Sequence, residues 1–250
     1  MLDQSAATKF PTNASPVPAF RRATRIQESI TSSREKRALL WLAARIPPSI
    51  NSDHLTALGF VAMFLTGCSY AAARWNSLAL IAAVFFLTVN WFGDSLDGTL
   101  ARFRNRQRPR YGFYVDHIID SFGALFLMAG LGASGYVDWR ITAAMLIAFL
   151  LLSIETYLAS YTLGVFRLSF AKFGPTELRL LLALANFVLF FHPAASIPGL
   201  PYRMLDFGGA IAALGMTIMA VIAAVAHTRQ LYHEEGLLQG VPHRHAGGKM

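Results

Sequence analysis

The sequence predicts an all-α integral membrane protein with six transmembrane helices, preceded by an N-terminal amphipathic helix at the membrane interface. Two observations support this fold class. First, 54% of the 250 residues are hydrophobic and only 14% are charged, which is typical of proteins that cross a bilayer several times. Second, six apolar runs follow one another, separated by polar connections, and about 20 apolar residues suffice for a helix to span the hydrocarbon core.

The N-terminal region is predicted to have two parts. Residues 1–20 are polar, contain three prolines and lack the apolar core of a signal peptide, so we expect a disordered tail. Residues 21–46 place several arginines and lysines ahead of the apolar run Leu39-Leu40-Trp41-Leu42. This pattern favours an interfacial helix that lies on anionic lipid, with a solvated basic arm as the alternative.

The six spans are predicted from the lengths of the apolar runs and from the polar residues between them. Their approximate bounds are 55–73, 78–102, 111–133, 141–165, 177–191 and 205–226. Together with the interfacial helix they form one predicted domain over residues 21–228, and residues 229–250 form a C-terminal tail.

The basic residues indicate topology. The net charge is +8, but the lysines and arginines are divided among the polar connections, which is not the footprint of a nucleic-acid-binding face. They concentrate on one side, in the N-terminal arm, in residues 102–110, at Arg167, Lys172 and Arg179, and in the C-terminal tail. The other connections contain only Arg74, Arg140 and Arg203. The positive-inside rule therefore predicts that both termini are cytoplasmic, with the chain in the inner membrane if it is bacterial.

Four aspartates interrupt the apolar sequence of spans two and three. Asp94 and Asp97 are three residues apart, and Asp116 and Asp120 are four apart, so each pair shares one face of its helix. The two spans are joined by a short basic connection. We therefore expect a helical hairpin whose two acidic faces point at each other.

These four carboxylates predict a cation site. A charged side chain deep in a bilayer costs about 2.5 to 3.5 kcal/mol, so the cluster requires positive charge. Hard oxygen ligands favour Mg²⁺, Mn²⁺ or Ca²⁺ over Zn²⁺, and a metal pair that clamps a phosphoryl group is a common use of such a cluster. A divalent-cation transporter is the alternative from another class. Transport requires acids distributed across the membrane, whereas these lie on its cytoplasmic side.

The acidic segment also carries a recognisable motif. Asp94-x-x-Asp97-Gly98-x-x-Ala101-Arg102, a spacer of nine residues and Gly112-x-x-x-Asp116-x-x-x-Asp120 resemble the signature of the CDP-alcohol phosphotransferase (CDP-alcohol phosphatidyltransferase) family. The resemblance implies a phospholipid-synthesising membrane enzyme that cleaves a CDP-linked donor, releases CMP and forms a phosphodiester with a lipid or alcohol acceptor. It implies a two-metal site with Mg²⁺ or Mn²⁺, and it is compatible with a homodimer.

The resemblance also implies a division of labour among the motif residues. Asp94, Asp97 and Asp116 would bind metals, and Asp120 would be the general base while also touching the second metal. The cytidine and diphosphate would lie against Gly98, Ala101, Arg102 and Gly112.

The start of span one adds a further candidate for the donor site. Asp53-His54-Leu55-Thr56 partly resembles the family's Pro-Asn-x-x-Thr element, which implies that Thr56 contacts the donor. An ordinary helix start, with Ser52 or Asp53 as N-cap, explains the same residues equally well.

The choice of substrates rests on weaker similarities. Asp116-His117, Glu155-Thr156-Tyr157 and the segment 174–177 resemble the choline and ethanolamine phosphotransferase branch. This resemblance implies CDP-ethanolamine or CDP-choline as donor and diacylglycerol as acceptor, with His117 and Glu155 in an acceptor pocket. The branch's glutamate is replaced by Phe113. Transfer of phosphatidyl from CDP-diacylglycerol onto a polar alcohol is the alternative, and for His117 and Glu155 a hydrogen bond between helices is the structural alternative.

Overall fold

The computed structural model describes residues 24–26, 32–167, 175–192 and 204–234. This part of the chain contains seven α-helices and two three-residue strands. The helices are α1 Ser32–Ala43, α2 Ser52–Ala72, α3 Leu78–Phe103, α4 Pro109–Ala133, α5 Trp139–Thr162, α6 Pro175–Phe191 and α7 Met204–Glu234. The strands β1 Thr24–Ile26 and β2 Val165–Arg167 pair in parallel, with Thr24 opposite Val165.

The helices confirm the predicted all-α membrane fold. Five of them, α2, α3, α4, α5 and α7, are long and apolar enough to cross a membrane, and α6 is a shorter apolar helix. Large apolar side chains such as Phe85, Leu158 and Ile222 are exposed, as expected where a helix faces lipid. The chain is therefore a multi-pass membrane protein.

The ends of the chain differ in detail from the predictions. Helix α7 continues to Glu234, so the first residues of the predicted C-terminal tail are helical. The predicted disordered tail, residues 1–20, and the remainder of the C-terminal tail lie outside the described residues.

The predicted interfacial helix is shorter than the segment 21–46, because β1 precedes it and α1 begins only at Ser32. It has two distinct faces. Leu39 is buried in a core shared with α2 and α3, whereas Trp41 is 56% exposed. The Trp91 Nε1–H of α3 donates a hydrogen bond of 2.9 Å to Glu35 Oε1. Helix α1 is therefore attached to the transmembrane bundle by both apolar and polar contacts.

The N-cap of α2 is Asn51, and the prediction of Ser52 or Asp53 is wrong by one or two residues. Asn51 Oδ1 accepts a hydrogen bond from the His54 backbone N–H at 3.1 Å, and His54 Nδ1 accepts one from the Asn51 N–H at 3.3 Å. This reciprocal pair satisfies two backbone donors at once. Asp53 is left free to pair with Arg108 at the start of α4.

The helices pack in the order α6, α3, α2, α4, α5, α7, with α1 on α3. Helix α2 packs extensively against both α3 and α4, whereas α3 and α4 have few direct contacts with each other. The predicted hairpin therefore needs a correction. Its two arms lie on either side of α2, so their acidic faces border a space instead of touching.

Glycines allow α2 to approach its two neighbours so closely. A Cβ atom on Gly93 of α3 would lie 2.6 Å from the Leu55 carbonyl oxygen of α2. A Cβ atom on Gly130 of α4 would lie 2.1 Å from the Gly67 carbonyl oxygen. Both distances are far shorter than any non-bonded carbon–oxygen contact, so the helix backbones meet directly at these points.

Two apolar cores lie at opposite ends of this central packing. The core at the end near α1 consists of Leu39, Ala43, Leu55, Leu96 and Leu100. The core at the far end consists of Tyr70, Ala73, Leu80, Ala83, Leu127, Leu131, Val137 and Leu189. We call them the α1-end core and the far-end core. Asp94 and Asp97 lie on either side of Leu96 in α3, so this acidic pair is next to the α1-end core.

We predict that Gly130→Ala lowers the thermal stability of the protein in detergent, by about 1 to 3 kcal/mol, because the new methyl group meets backbone that cannot rotate away. The matched control is Gly215→Ala in α7, where a Cβ atom meets nothing within 4 Å. Thermal unfolding of both variants measures the difference. Equal melting temperatures for the two variants would show that the close α2–α4 crossing is incorrect.

Candidate active site

A cavity lies between α2, α3 and α4, in the space that the separation of α3 from α4 leaves open. All four predicted aspartates line it. The complete lining is Thr56, Gly59, Phe60, Met63, Asn90, Asp94, Asp97, Asp116, Ile119, Asp120 and Gly123. One wall is therefore acidic, and the part nearer the far-end core is largely apolar.

Asp97 is held by α2. The Thr56 hydroxyl lies 2.5 Å from Asp97 Oδ2 and 3.0 Å from the Ser52 carbonyl oxygen, and its single proton can be donated to one of them at a time. The other oxygen of Asp97 accepts from the Gly98 backbone N–H. Thr56, predicted from sequence to contact the donor, thus contacts one of the predicted metal ligands directly.

Asp94 is paired with a cation from a distant part of the chain. Arg179 Nη2 of α6 lies 2.7 Å from Asp94 Oδ2, and the Arg179 side chain is only 16% exposed. From the sequence, the basic residues of this region predicted only topology, and this role of Arg179 was not predicted. The available signal was an arginine in the second turn of a short apolar helix, where a charge requires a partner.

Asp116 and Asp120 complete the acidic wall from α4. Asp116 Oδ2 lies 3.9 Å from His117 Nδ1. Asp120 is exposed, and the charges of Asp94, Asp97, Asp116 and Arg179 all act on it. A carboxylate that is accessible in a cavity can accept a proton from a bound hydroxyl.

The donor set of this cavity fits a divalent cation in type. Four carboxylates are the hard oxygen ligands that Mg²⁺ and Mn²⁺ prefer. Among the described residues, however, no three His, Cys, Asp or Glu side chains are already arranged around a common metal position. Arg179 and Thr56 occupy one carboxylate each. A cation at Asp94 would therefore have to share that carboxylate with Arg179 or displace it.

The four residues predicted to hold the nucleotide lie beside the cavity and not in its lining. Gly98, Ala101 and Arg102 are in the last turns of α3, and Gly112 is in the first turn of α4. The Arg102 guanidinium covers Gly98, where a Cβ atom would lie 3.3 Å from Nη1, and it also donates to Thr99 Oγ1 at 3.2 Å. Gly112 is exposed, so this surface next to the acidic wall is open.

His117 and Glu155 are not brought to the cavity. The ring of His117 stacks on Phe113 and meets Tyr157 edge-on, at centroid distances of 4.1 and 4.6 Å. Glu155 Oε1 lies 2.5 Å from His227 Nδ1 of α7. These contacts are those of the structural alternative, in which the two residues connect helices. Their role in an acceptor pocket stays a prediction.

The basic connection between α3 and α4 has structural contacts of its own. Arg104 donates to the carbonyl oxygens of Ile50 at 2.5 Å and Ile46 at 2.8 Å, which attaches the α1–α2 connection to the end of α3. Arg108 donates to Asp53, and this hydrogen bond raises the pKa of the Arg108 guanidinium. Both arginines are therefore engaged with neighbouring protein groups.

Asn90 is a second residue of the site that was not predicted from the sequence. It lies one turn before Asp94 in α3, is 6% exposed and lines the cavity. Its Nδ2 donates to the Gly59 carbonyl oxygen at 3.0 Å. Its Oδ1 is the one buried side-chain nitrogen or oxygen without a hydrogen-bond partner in the described part of the chain. An amide inside the apolar run ahead of Asp94 was the available signal.

Comparison with known proteins identifies the family. The family model described as CDP-alcohol phosphatidyltransferase matches residues 51–229, a range that includes α2 to α6, most of α7 and all four aspartates. No curated protein matches the chain. The family match confirms the resemblance found in the motif, and it does not distinguish the branches of the family.

We predict that Arg179→Gln makes the protein less stable without divalent cations and more strongly stabilised by added Mg²⁺ or Mn²⁺, because it removes the cation that faces the four carboxylates. Melting temperatures with chelator and with each metal measure both effects. The control is Arg108→Gln, which breaks an exposed ion pair with Asp53 that contributes little to stability. An identical metal response in the two variants would contradict the prediction.

Proposed function

The chain belongs to the CDP-alcohol phosphatidyltransferase family, and from this membership we propose that it cleaves the diphosphate of a CDP-linked donor and forms a phosphodiester with a hydroxyl acceptor. The observation that carries the proposal is the convergence of the four signature aspartates on one cavity. The match covers the whole helical region that builds this cavity, including the Thr56 contact to Asp97.

The proposed reaction is a substitution at phosphorus. The acceptor hydroxyl oxygen forms a bond to the donor phosphorus that carries the non-nucleotide unit. The bond from this phosphorus to the bridging diphosphate oxygen breaks, and CMP leaves with the electron pair. Asp120 accepts the proton of the attacking hydroxyl. Its exposure in the cavity leaves it accessible to an acceptor.

The other aspartates would hold the divalent cations. Asp94, Asp97 and Asp116, with Asp120 at the second position, form the donor set that fits Mg²⁺ or Mn²⁺. When bound, these cations supply the positive charge that stabilises the diphosphate and the leaving group. Thr56 orients Asp97 through its hydrogen bond, and Arg102 would contact the diphosphate from the open surface beside the cavity.

For the substrates, we propose CDP-ethanolamine or CDP-choline as donor and diacylglycerol as acceptor. The similarity of the segments around His117 and Glu155 to that branch supports this choice. Transfer of phosphatidyl from CDP-diacylglycerol to a polar alcohol is the second candidate, because it uses the same motif. In both cases the nucleotide approaches from the end near α1, which we propose to be cytoplasmic, together with both termini.

The far-end core argues against a cation transporter. Met63 lines the cavity and packs against that core, which contains Tyr70, Leu80 and Leu127. The acidic wall therefore ends at tightly packed apolar side chains, and the described residues provide no further acidic group beyond it in this core. A transferase needs only one entrance from the aqueous side, whereas transport needs a polar route to both sides.

We predict that the purified enzyme releases CMP from CDP-ethanolamine or CDP-choline in the presence of diacylglycerol, and only when Mg²⁺ or Mn²⁺ is supplied. Asp94→Asn should abolish this turnover, because it removes a predicted metal ligand. The measurement is identification of the lipid product from a labelled donor, with CDP-diacylglycerol and a panel of alcohols as the parallel assay.

The possible results separate the candidates. A product obtained only from CDP-diacylglycerol would replace the proposed substrates by the second candidate and retain the metal chemistry. Full activity in excess chelator would contradict the metal assignment. Saturable cation flux into proteoliposomes without CMP release would instead support the transporter.

We also predict that Asp120→Asn reduces kcat by about a hundredfold or more while donor affinity changes little, because a general base acts mainly on proton transfer. Asp97→Asn is the matched comparison and should weaken donor binding as well. Calorimetry of donor binding in the presence of metal, together with kcat, distinguishes the two. Equal losses of affinity in both variants would mean that Asp120 serves chiefly as a metal ligand.

A further inference from the structure

Asn90 has a fixed orientation in the cavity wall. The Gly59 carbonyl oxygen can only accept hydrogen bonds, so the amide group that faces it at 3.0 Å must be the NH₂ of Asn90. The position of this carbonyl is fixed in turn, because α2 and α3 touch here: a Cβ atom on Gly59 would lie 3.3 Å from the Asp94 backbone nitrogen. Asn90 Oδ1 is therefore the atom left to interact with a ligand.

This oxygen is an unsatisfied acceptor in a buried place. Asn90 is 6% exposed, lines the cavity, and its Oδ1 has no hydrogen-bond partner among the described residues. A buried polar atom without a partner is destabilising, and such atoms are rare in folded proteins. An unpaired acceptor in the wall of a substrate cavity indicates a hydrogen-bond donor on the substrate.

The position of Asn90 along α3 indicates which part of the substrate that is. Asn90 lies about 6 Å from Asp94 along the helix axis, on the side opposite to Gly98 and Arg102. This step rests on the proposed function, in which the nucleotide lies near Gly98 and the diphosphate at the aspartates. The unit bonded to the other end of the diphosphate must then extend past Asp94 towards Asn90.

The surroundings of Asn90 restrict the chemistry of that unit. The lining residues Phe60, Met63 and Gly123 have no nitrogen or oxygen in their side chains. Among the described lining residues, Asn90 Oδ1 is the buried side-chain acceptor without a partner. A group that binds there needs an N–H or O–H of its own besides the reacting oxygen. A primary ammonium has such donors, whereas a trimethylammonium group has none.

We propose that Asn90 Oδ1 accepts a hydrogen bond from the N–H or O–H of the small polar alcohol unit of the substrates, and that it selects ethanolamine over choline. The same chemistry applies whether that unit arrives within a CDP-linked donor or as a free alcohol. Asn90 is then a specificity-determining residue of the transfer reaction.

The test compares kcat/KM for CDP-ethanolamine and CDP-choline in the wild type, Asn90→Leu and Asn90→Ala. The wild type should prefer CDP-ethanolamine by about 10- to 100-fold, because bound CDP-choline leaves Asn90 Oδ1 buried without a hydrogen-bond donor. Both variants should lose this preference through slower reaction of CDP-ethanolamine, with CDP-choline changed by about threefold or less. Leu preserves the side-chain volume and Ala removes it, so agreement between them excludes a packing effect.

Binding of CDP, which lacks the alcohol unit, provides the structural control. The variants should bind CDP with metal as tightly as the wild type does, whereas an equal loss of CDP and CDP-ethanolamine affinity would overturn the proposal in favour of a purely structural Asn90. A wild type without preference between the two donors would overturn it as well.

The proposed function can fail separately. If the wild type uses CDP-diacylglycerol alone, the donor assignment is wrong. The test then compares kcat/KM for the free alcohol that the enzyme accepts with kcat/KM for an analogue of that alcohol in which the non-reacting N–H and O–H groups are methylated. Loss of that discrimination in both Asn90 variants would support the proposal. Unchanged discrimination would overturn it.

Discussion

The structure depends on the need to stabilise four carboxylates within membrane-spanning helices. Asp94 and Asp97 of α3 and Asp116 and Asp120 of α4 line one cavity, where each uncompensated charge would be costly. Two other helices supply partners: α6 provides the Arg179 guanidinium to Asp94, and α2 provides the Thr56 hydroxyl to Asp97. Arg179, in the second turn of α6, therefore lies at the depth of Asp94.

The cavity exists because α2 separates the two acidic helices. If α3 and α4 packed on each other as a simple hairpin, their carboxylates would meet directly and leave no space for a nucleotide diphosphate. The backbone contacts at Gly93 and Gly130 bring both helices onto α2, so the acidic faces border a cavity that α2 closes from the third side. The glycines that allow α3 and α4 each to pack closely on α2 thus also leave the cavity between α3 and α4.

The sequence alone was sufficient for the spans and for the acidic cluster, because hydropathy and helical spacing are local properties. It was insufficient for the partners of that cluster. Arg179 lies 85 positions from Asp94, and neither periodicity nor charge counting indicates which helix packs beside α3. The N-cap at Asn51 was missed because three consecutive residues, Asn51, Ser52 and Asp53, all favour that position. Only the reciprocal contact with His54 selects one of them.

The charge of the cavity changes along its length, and this gradient suits group transfer. The acidic residues and Arg179 lie at one end, where cations held by the carboxylates would neutralise the charge of a diphosphate. Phe60 and Met63 lie towards the far-end core. In the proposed function the nucleotide extends only as far as the aspartates, and the alcohol unit at the other end of the diphosphate extends further, towards Asn90. In the proposed reaction the phosphorus atom would lie at the boundary between the two environments, beside Asp120 as the proposed acceptor of the proton from the attacking hydroxyl.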